Sequence, residues 1–248
     1  MESKGEARCQ EKDKNQQEGP DVRDNLIRIS VGGETVFVDA NQYKAKNAGQ
    51  TAKPRKMKRQ PKNPKPGEWI SEDYSKHKIA DYKPFNFVDG EGVRCSLYVS
   101  GCLFDCPGCY NLAAQNFNYG RPYTQELEDQ IIADIGQSYV QGLTLLGGEP
   151  FLNTWVCTRI IDRVRAEYGH SKDIWSWSGY TWEELLKETP DKVEMLKKLD
   201  ILVDGRFMDN LKDLTLQFRG SSNQRIIDVQ KSLKTPDLHP VIWDKLQR

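Results

Sequence analysis

Three cysteines, Cys102, Cys106 and Cys109, lie in one short stretch of the chain at C-x3-C-x2-C spacing. Thiolate sulfur is the ligand that zinc ions and iron–sulfur clusters take from proteins, and so short a loop can present three sulfurs to one inorganic centre. Structural zinc sites and ordinary four-iron clusters normally take four protein ligands. Three cysteines around a four-iron cubane would therefore leave one iron open to chemistry.

The cysteine spacing has three other interpretations, and each meets an objection. A Cys3His zinc site needs a nearby histidine, but His77, His170 and His239 lie outside zinc-finger spacing. A disulfide framework is typical of secreted domains, and the N-terminus has no apolar signal-peptide region. Buried structural cysteines are disfavoured by Pro107-Gly108, which indicates a turn. The cluster is favoured over these three.

The other three cysteines are expected to have no ligand role. Cys9 lies alone in a polar tail and is interpreted as a free thiol. Cys95 falls on the apolar face of an alternating strand pattern, and Cys157 repeats at helical spacing with neighbouring apolar residues. We therefore expect Cys95 and Cys157 to be core residues.

Strands and helices alternate around the cysteine loop, which predicts an α/β fold with parallel strands and crossover helices. There are too few units for a closed eight-stranded barrel, so an open, partial barrel is expected. Thr124 is followed by acids and by a buried stripe of Leu127, Ile131 and Ile135, and Thr181 to Glu184 forms a capping box. The predicted strands cover residues 93–100, 143–146, 174–178 and 200–204, and the predicted helices begin at Thr124, after Pro150, at Thr181 and at Pro190.

A second motif, Gly147-Gly148-Glu149-Pro150, follows the second predicted strand. Ligands of parallel α/β folds bind at the carboxyl ends of the strands, where the cysteine loop is also predicted to lie. Two glycines let a backbone approach a ligand closely. In isolation the motif would indicate a plain tight turn, but beside the cysteine loop it favours a binding site.

Six stretches of the chain, in order, resemble the radical S-adenosylmethionine (SAM) activases of glycyl-radical enzymes, in particular the branch that activates anaerobic ribonucleoside-triphosphate reductases. The resemblance runs from about Pro66 to near the C-terminus. Gly108 stands where the broad superfamily often has an aromatic residue before the third cysteine, and the aromatic residue here is Tyr110; this branch shows the same variant. The stretches are FVDGEGVRC (87–95), SGCLFDCPGCYN (100–111), GLTLLGGEP (142–150), DIWSWSGY (173–180), ILVDG (201–205) and FRGSSNQ (218–224).

The resemblance implies a partial, TIM-like barrel of the radical SAM type, with a [4Fe-4S] cluster and SAM as cofactors. It implies that the three loop cysteines ligate the cluster and that the Gly147-Gly148-Glu149 turn binds the methionyl amino group. Backbone atoms of Gly108, Cys109 and Tyr110 would line the adenine pocket. Ser178 and Asp204 are weaker candidates for ribose or methionyl contacts, and Trp175 and Trp177 are expected to pack in the core.

The activity that the resemblance implies is formation of a 5′-deoxyadenosyl radical, which installs a glycyl radical on the anaerobic reductase. The electron would come from a donor such as flavodoxin, and no catalytic residue is expected beyond the cluster and SAM. One alternative is an activase of another glycyl-radical enzyme, such as pyruvate formate-lyase. A different class of alternative is a non-enzymatic iron–sulfur or zinc protein serving interaction or electron transfer.

Composition divides the 248 residues into two regions. Residues 1–66 are predicted to be a polar, basic extension, mostly disordered, with a hairpin over 26–38, and residues 67–248 form the activase domain. Residues 44–65 carry only positive charge, but with no aromatic residue interleaved they indicate a linker, and nucleic-acid binding is not expected. Met57 is a candidate true start of translation. No apolar run reaches membrane-spanning length, so a cytoplasmic protein is expected.

Overall fold

The computed structural model describes residues 67 and 69–243 in full and residues 26–31 and 34–39 as backbone strands. The chain divides into two compact units, residues 1–57 and 58–248. In the first unit, β1 (Leu26–Val31) and β2 (Glu34–Asp39) pair antiparallel on either side of the predicted glycine turn. The predicted disorder of the rest of the extension, and Cys9, lie outside the described residues.

The second unit is built on one eight-stranded sheet with the strand order β10-β9-β8-β7-β6-β4-β3-β5. Five α-helices are described around it, together with 3-10 turns at Ser71–Asp73, Leu112–Gln115, Pro150–Leu152 and Asp209–Leu211. The strands are β3 (Lys78–Asn86), β4 (Val93–Val99), β5 (Arg121–Pro122), β6 (Val140–Gly147), β7 (Asp173–Trp177), β8 (Ile201–Asp204), β9 (Arg225–Asp228) and β10 (Val241–Ile242), and the helices are α1 (Gln125–Ile135), α2 (Thr154–Tyr168), α3 (Trp182–Leu185), α4 (Pro190–Lys197) and α5 (Val229–Ser232).

The centre of the sheet is parallel and its edges are antiparallel. Strands β4, β6, β7 and β8 run parallel, as predicted, while β3, β5, β9 and β10 add antiparallel pairs on both sides. The α/β class is therefore confirmed in the form of a mixed sheet. The curvature of an open barrel stays a prediction.

The helices begin where capping residues predict. The Thr124 hydroxyl accepts a hydrogen bond from the Leu127 N–H, and α1 buries Leu127, Ile131 and Ile135 as one stripe. At α3 the reciprocal capping box between Thr181 and Glu184 is present. Each cap satisfies backbone N–H groups that a helix start leaves without partners.

Both faces of the parallel strands are buried. Alternate residues, among them Cys95 and Leu97, pack against the helices, while Trp175 lies in a second core cluster. Arg94 is also fully buried: its Nη1 lies 2.6 Å from an Asp173 carboxylate oxygen, and its guanidinium carbon lies 5.1 Å from the centre of the Trp175 ring. The predicted packing of Trp175 and of the partly buried Trp177 is confirmed. Within the described ranges, no helix is both long enough and apolar enough to cross a membrane.

Candidate functional site

The cysteine loop follows β4 and is held by backbone hydrogen bonds. The Gly101 N–H donates to the Ala114 carbonyl over 2.7 Å, and the Cys102 N–H donates to the Gln115 carbonyl over 3.0 Å. Gly101 has φ +101°, and a Cβ at this position would lie 2.1 Å from the Phe117 ring. Only glycine fits there. The chain can therefore double back directly after β4 and present the cysteines at the carboxyl end of the parallel strands.

The last two cysteines of the loop flank a tight turn. The Cys109 N–H donates to the Cys106 carbonyl over 3.1 Å, and Gly108 has φ +74°. Proline followed by a glycine with positive φ is the central pair that type II turns favour. The turn that Pro107-Gly108 predicts is therefore confirmed, and it brings Cys109 back toward Cys106.

The cysteines fall into two groups by burial. Cys102, Cys106 and Cys109 are partly exposed free thiols, whereas Cys95 and Cys157 are fully buried, as predicted. Among the described residues, no three Cys, His, Asp or Glu side chains surround one point as the ligands of a single ion do. Each cysteine of a cubane ligates a different iron, so its sulfurs need not converge on one point. The absence of one converging point is therefore no objection to a cluster at the loop.

Burial and negative charge raise the pKa values of two loop thiols, Cys102 and Cys106. For Cys102 burial is the largest cause, and the charges of Glu149, Cys106 and Cys109 raise the pKa further. Burial also raises the pKa of Cys106, followed by the charge of Cys109. Metals bind the thiolate form, so binding of iron at this loop must release protons.

The Gly147-Gly148-Glu149 turn ends β6 and is joined directly to the cysteine loop. The Gly148 N–H donates to the Val99 carbonyl over 2.8 Å, and the Glu149 N–H donates to the Gly101 carbonyl over 2.7 Å. A Cβ at Gly148 would lie 2.4 Å from the Gly101 carbonyl oxygen, and Gly147 has φ +107°. The two motifs that the sequence predicts at one edge of the sheet are therefore in contact.

The Glu149 side chain is 1% exposed and accepts three hydrogen bonds. One carboxylate oxygen accepts from the Phe151 N–H over 3.1 Å and from the Ser178 hydroxyl over 2.9 Å. The other oxygen accepts from the Gly179 N–H over 2.8 Å. Burial raises the pKa of Glu149 to about 7, although these donors oppose the rise. The Ser178 hydroxyl, a predicted ligand contact, is thus bound to Glu149.

We expect the metal-free chain to lose stability as the pH rises through 7, because folding then buries a charged Glu149. This carboxyl group titrates near 4.5 when unfolded and near 7 when folded, so the folded state holds its proton over that interval. The stabilisation is complete below 4.5 and is lost as the pH rises through 7. Glu149→Gln should therefore destabilise the chain by about 2 kcal/mol less at pH 7.5 than at pH 5.

Urea unfolding followed by tryptophan fluorescence at the two pH values measures this difference. A destabilisation by Glu149→Gln that does not change with pH would contradict the raised pKa.

Comparison with known proteins gives two findings. Residues 88–227 match the family described as a 4Fe-4S single cluster domain. The anaerobic ribonucleoside-triphosphate reductase-activating protein of Salmonella typhi is 43% identical over 147 residues, which cover 58% of this chain and 93% of that protein. Its counterpart in Vibrio cholerae is 42% identical over 149 residues, covering 58% of this chain and 94% of that protein. The counterpart in Enterobacteria phage T4 is 39% identical over 145 residues, covering 58% and 88% respectively.

This chain belongs to the family of anaerobic ribonucleoside-triphosphate reductase-activating proteins. The 4Fe-4S domain of this family member contains the whole cysteine loop and the Gly147-Gly148-Glu149 turn. The donor set fits such a cluster, since three partly exposed thiols share one loop while the other described cysteines are buried in the core. Which cysteines ligate the cluster stays a prediction.

Two further predicted site residues of this activating-protein chain lie in different surroundings. Tyr110 is 99% exposed beside the third cysteine. Asp204 is buried and accepts hydrogen bonds from the Trp182 N–H over 2.7 Å and from Arg225 Nε over 3.1 Å. Asp204 thus has protein partners of its own at the carboxyl end of β8.

Residues after β8 that contact the cysteine loop are absent from the sequence-based prediction. A Cβ at Gly108 would lie 3.3 Å from the Phe207 ring, and the Arg206 guanidinium carbon lies 4.5 Å from the centre of the Phe104 ring. The signal in the sequence was the strand end at Asp204, which places these residues on the same edge as the loop. Nothing in their spacing shows that they turn toward the cysteines.

Proposed function

We propose that this protein is a radical SAM activase that installs a glycyl radical on an anaerobic ribonucleoside-triphosphate reductase. When bound, the [4Fe-4S] cluster and SAM would supply one-electron cleavage of the sulfur–C5′ bond, yielding methionine and a 5′-deoxyadenosyl radical that takes hydrogen from a glycine Cα of the reductase. The protein itself would supply placement and electrostatics.

The observation that carries this proposal is the direct joining of two motifs. The cysteine loop and the Gly147-Gly148-Glu149 turn meet through two backbone hydrogen bonds at the carboxyl end of parallel strands, inside a matched 4Fe-4S domain. The activating proteins of Salmonella typhi and Vibrio cholerae, by name, act on anaerobic ribonucleoside-triphosphate reductase. Their identity to this chain supports the same partner here.

The three loop cysteines are the proposed ligands, one to each of three irons. The turn between Cys106 and Cys109 keeps these two sulfurs on one short loop, and the strand-end hydrogen bond of Cys102 fixes the start of the loop. With the other described cysteines, Cys95 and Cys157, fully buried in the core, a fourth iron would stay free for SAM.

The backbone of Gly147 and Gly148 and the Glu149 residue are proposed to bind the methionyl amino group of SAM. A positively charged amino group suits a site beside a buried carboxyl group, because opposite charge favours the ionised form of Glu149. Backbone atoms of Gly108 and the two residues after it are proposed to line the adenine pocket. The exposed Tyr110 side chain would then lie at the entrance to the adenine pocket.

We propose no acid–base residue, since hydrogen-atom transfer needs none. An external electron donor such as flavodoxin would reduce the cluster. A reducing, cytoplasmic setting suits the oxygen sensitivity that such a cluster would have, and no membrane or nucleic-acid partner is proposed.

The test is anaerobic. The protein, purified without oxygen and loaded with iron and sulfide, is reduced with dithionite in the presence of SAM, and we expect methionine and 5′-deoxyadenosine as products. On mixing with the anaerobic reductase, electron paramagnetic resonance should show a glycyl radical. A colourless zinc protein that leaves SAM intact would refute the proposal. SAM cleavage with a radical on pyruvate formate-lyase, and none on the reductase, would refute the proposed partner.

A further inference from the structure

Two loop segments at the carboxyl end of the sheet, Gly205–Leu211 and Phe218–Gln224, pair with each other, and we call the pair the brace. The Ser222 N–H donates to the Leu211 carbonyl over 2.9 Å, and the Met208 N–H donates to the Ser221 hydroxyl over 3.2 Å. Regular structure within the brace consists of one short 3-10 turn and the isolated antiparallel bridge of Ser221 to Lys212. Its position therefore depends on hydrogen bonds more than on helix or strand pairing.

The Gln224 side chain ties the two segments together. It is 8% exposed, and its carbonyl oxygen accepts from the Gly220 N–H over 2.9 Å and from the Ser221 N–H over 3.2 Å. Its amide nitrogen donates to the Gly205 carbonyl over 3.0 Å. Loss of this one buried amide would leave backbone groups of both segments without partners.

Apolar packing holds part of the brace. Met208 is 41% exposed and Leu214, between the two segments, is 88% exposed, but the Phe218 ring centre lies 5.5 Å from that of Trp175 in the second core cluster. The Phe207 ring lies toward the cysteine loop, since a Cβ would lie 3.3 Å from it at Gly108 and 3.0 Å from it at Gly220. Phe207 therefore fills the space between the cysteine loop and the second segment of the brace.

The brace also makes polar contact with the cysteine loop. Burial raises the pKa of the Cys106 thiol, and the Phe207 backbone and the Arg206 charge oppose that rise. The Arg206 guanidinium carbon lies 4.5 Å from the centre of the Phe104 ring in the same loop. The Asp209 carboxylate lies 2.9 Å from the position of a Cβ on Gly108. Hydrogen bonds to cluster sulfurs and nearby charge are among the features that set the reduction potential of an iron–sulfur cluster.

We infer that Gln224 is a positioning residue: it holds the brace against the cysteine loop and thereby sets the reduction potential of the cluster that the loop binds. The inference rests on the proposed function, because it needs the cluster at this loop. When the brace is held in place, the Phe207 backbone and the Arg206 charge favour the reduced, more negative cluster, while the Asp209 carboxylate beside Gly108 opposes them. Arg206 Nη1 also lies 3.1 and 3.0 Å from the two carboxylate oxygens of Glu184, so release of the brace chiefly removes the Phe207 donor and the potential falls.

The test compares Gln224→Leu with the wild-type protein, each carrying its cluster. We expect Gln224→Leu to keep its iron but to show about a tenfold lower ratio of reduced to oxidised cluster at a fixed potential, a shift of ~59 mV for one electron. Redox titration followed by electron paramagnetic resonance of the reduced cluster measures the shift. Gln224→Met, which keeps the length of the side chain, serves if the leucine variant does not fold.

Gln230→Leu is the matched control. The Gln230 amide also ties down backbone, donating to the Lys197 carbonyl over 2.9 Å and to the Leu199 carbonyl over 2.7 Å, but in α5, away from the brace. We expect this variant to lose stability with no change in potential. Equal potentials in wild-type protein and a folded Gln224 variant would overturn the inference alone. A wild-type protein that binds no iron would overturn the proposed function as well.

Discussion

Cys106→Ala is expected to lose the four-iron cluster and all cleavage of SAM that depends on it. The variant removes one of the three proposed thiol ligands, and no described cysteine outside the loop is accessible to replace it. Mutation of a residue that hydrogen-bonds to a metal ligand typically costs about 10- to 100-fold in metal affinity or activity. Loss of a ligand itself should therefore lower the rate of SAM cleavage by more than about 100-fold. Iron and sulfide content, together with 5′-deoxyadenosine formation under anaerobic reduction, measure the effect.

Cys157→Ala is the matched control for the cysteine loop. Cys157 is fully buried in α2 and lies outside the loop, so its loss should cost on the order of 1 kcal/mol of stability through the cavity it leaves. Iron content and SAM cleavage should be unchanged. A Cys106→Ala protein with full iron content and full activity would contradict the ligand assignment.

Gly148→Ala is expected to separate the two motifs of the site. The new methyl group would lie 2.4 Å from the Gly101 carbonyl oxygen and 2.8 Å from that of Ala114, and both are backbone atoms that cannot move cheaply. Overpacking of this kind costs about 1–3 kcal/mol of stability. A displacement of about 1 Å at a reacting centre costs on the order of 100-fold in rate. We therefore expect SAM cleavage to fall about 100-fold while iron is retained.

Gly136→Ala is the control for the added methyl group. Gly136 has a helical φ of −62°, and the one atom within 3 Å of a Cβ there is the Tyr168 hydroxyl at 2.6 Å, which belongs to a side chain that can shift. A small loss of stability with normal SAM cleavage is expected. Normal cleavage in Gly148→Ala would show that the close approach of the two motifs is not required.

The centre of the fold could be predicted because local signals and burial agree there. The Thr124 and Thr181 caps, the stripe of α1 and the apolar runs of β6 and β8 each report one element without reference to the others. The carboxyl-end rule then brings the cysteine loop and the Gly147-Gly148-Glu149 turn to one edge of the sheet. The sequence predicts that the two motifs lie close together, but it does not predict the two hydrogen bonds that join them.

What could not be predicted depends on pairing between distant residues. The buried Arg94 occupies a polar position in an alternating strand pattern, and its ion pair with Asp173 and its hydrogen bonds to the Thr144 hydroxyl and the Leu143 carbonyl make that burial tolerable. The antiparallel edge strands β9 and β10 are too short to give a clear period. The brace has no periodicity, and the role of Gln224 appears only when the Gly205 and Gly220 backbones are both in place.

The parallel pairing of β4 with β6 also sets an order of events during synthesis of the chain. The loop cysteines are synthesised before β6, and at about 5–20 residues per second the roughly 40 residues from Cys109 to Glu149 take about 2–8 s to add. Until then the Val99 and Gly101 carbonyls have no Gly148 or Glu149 N–H to accept from. Iron bound in this interval would be held by the cysteine loop alone, without the Gly147-Gly148-Glu149 turn beside it. A centre that binds iron in this interval would be completed by the docking of β6.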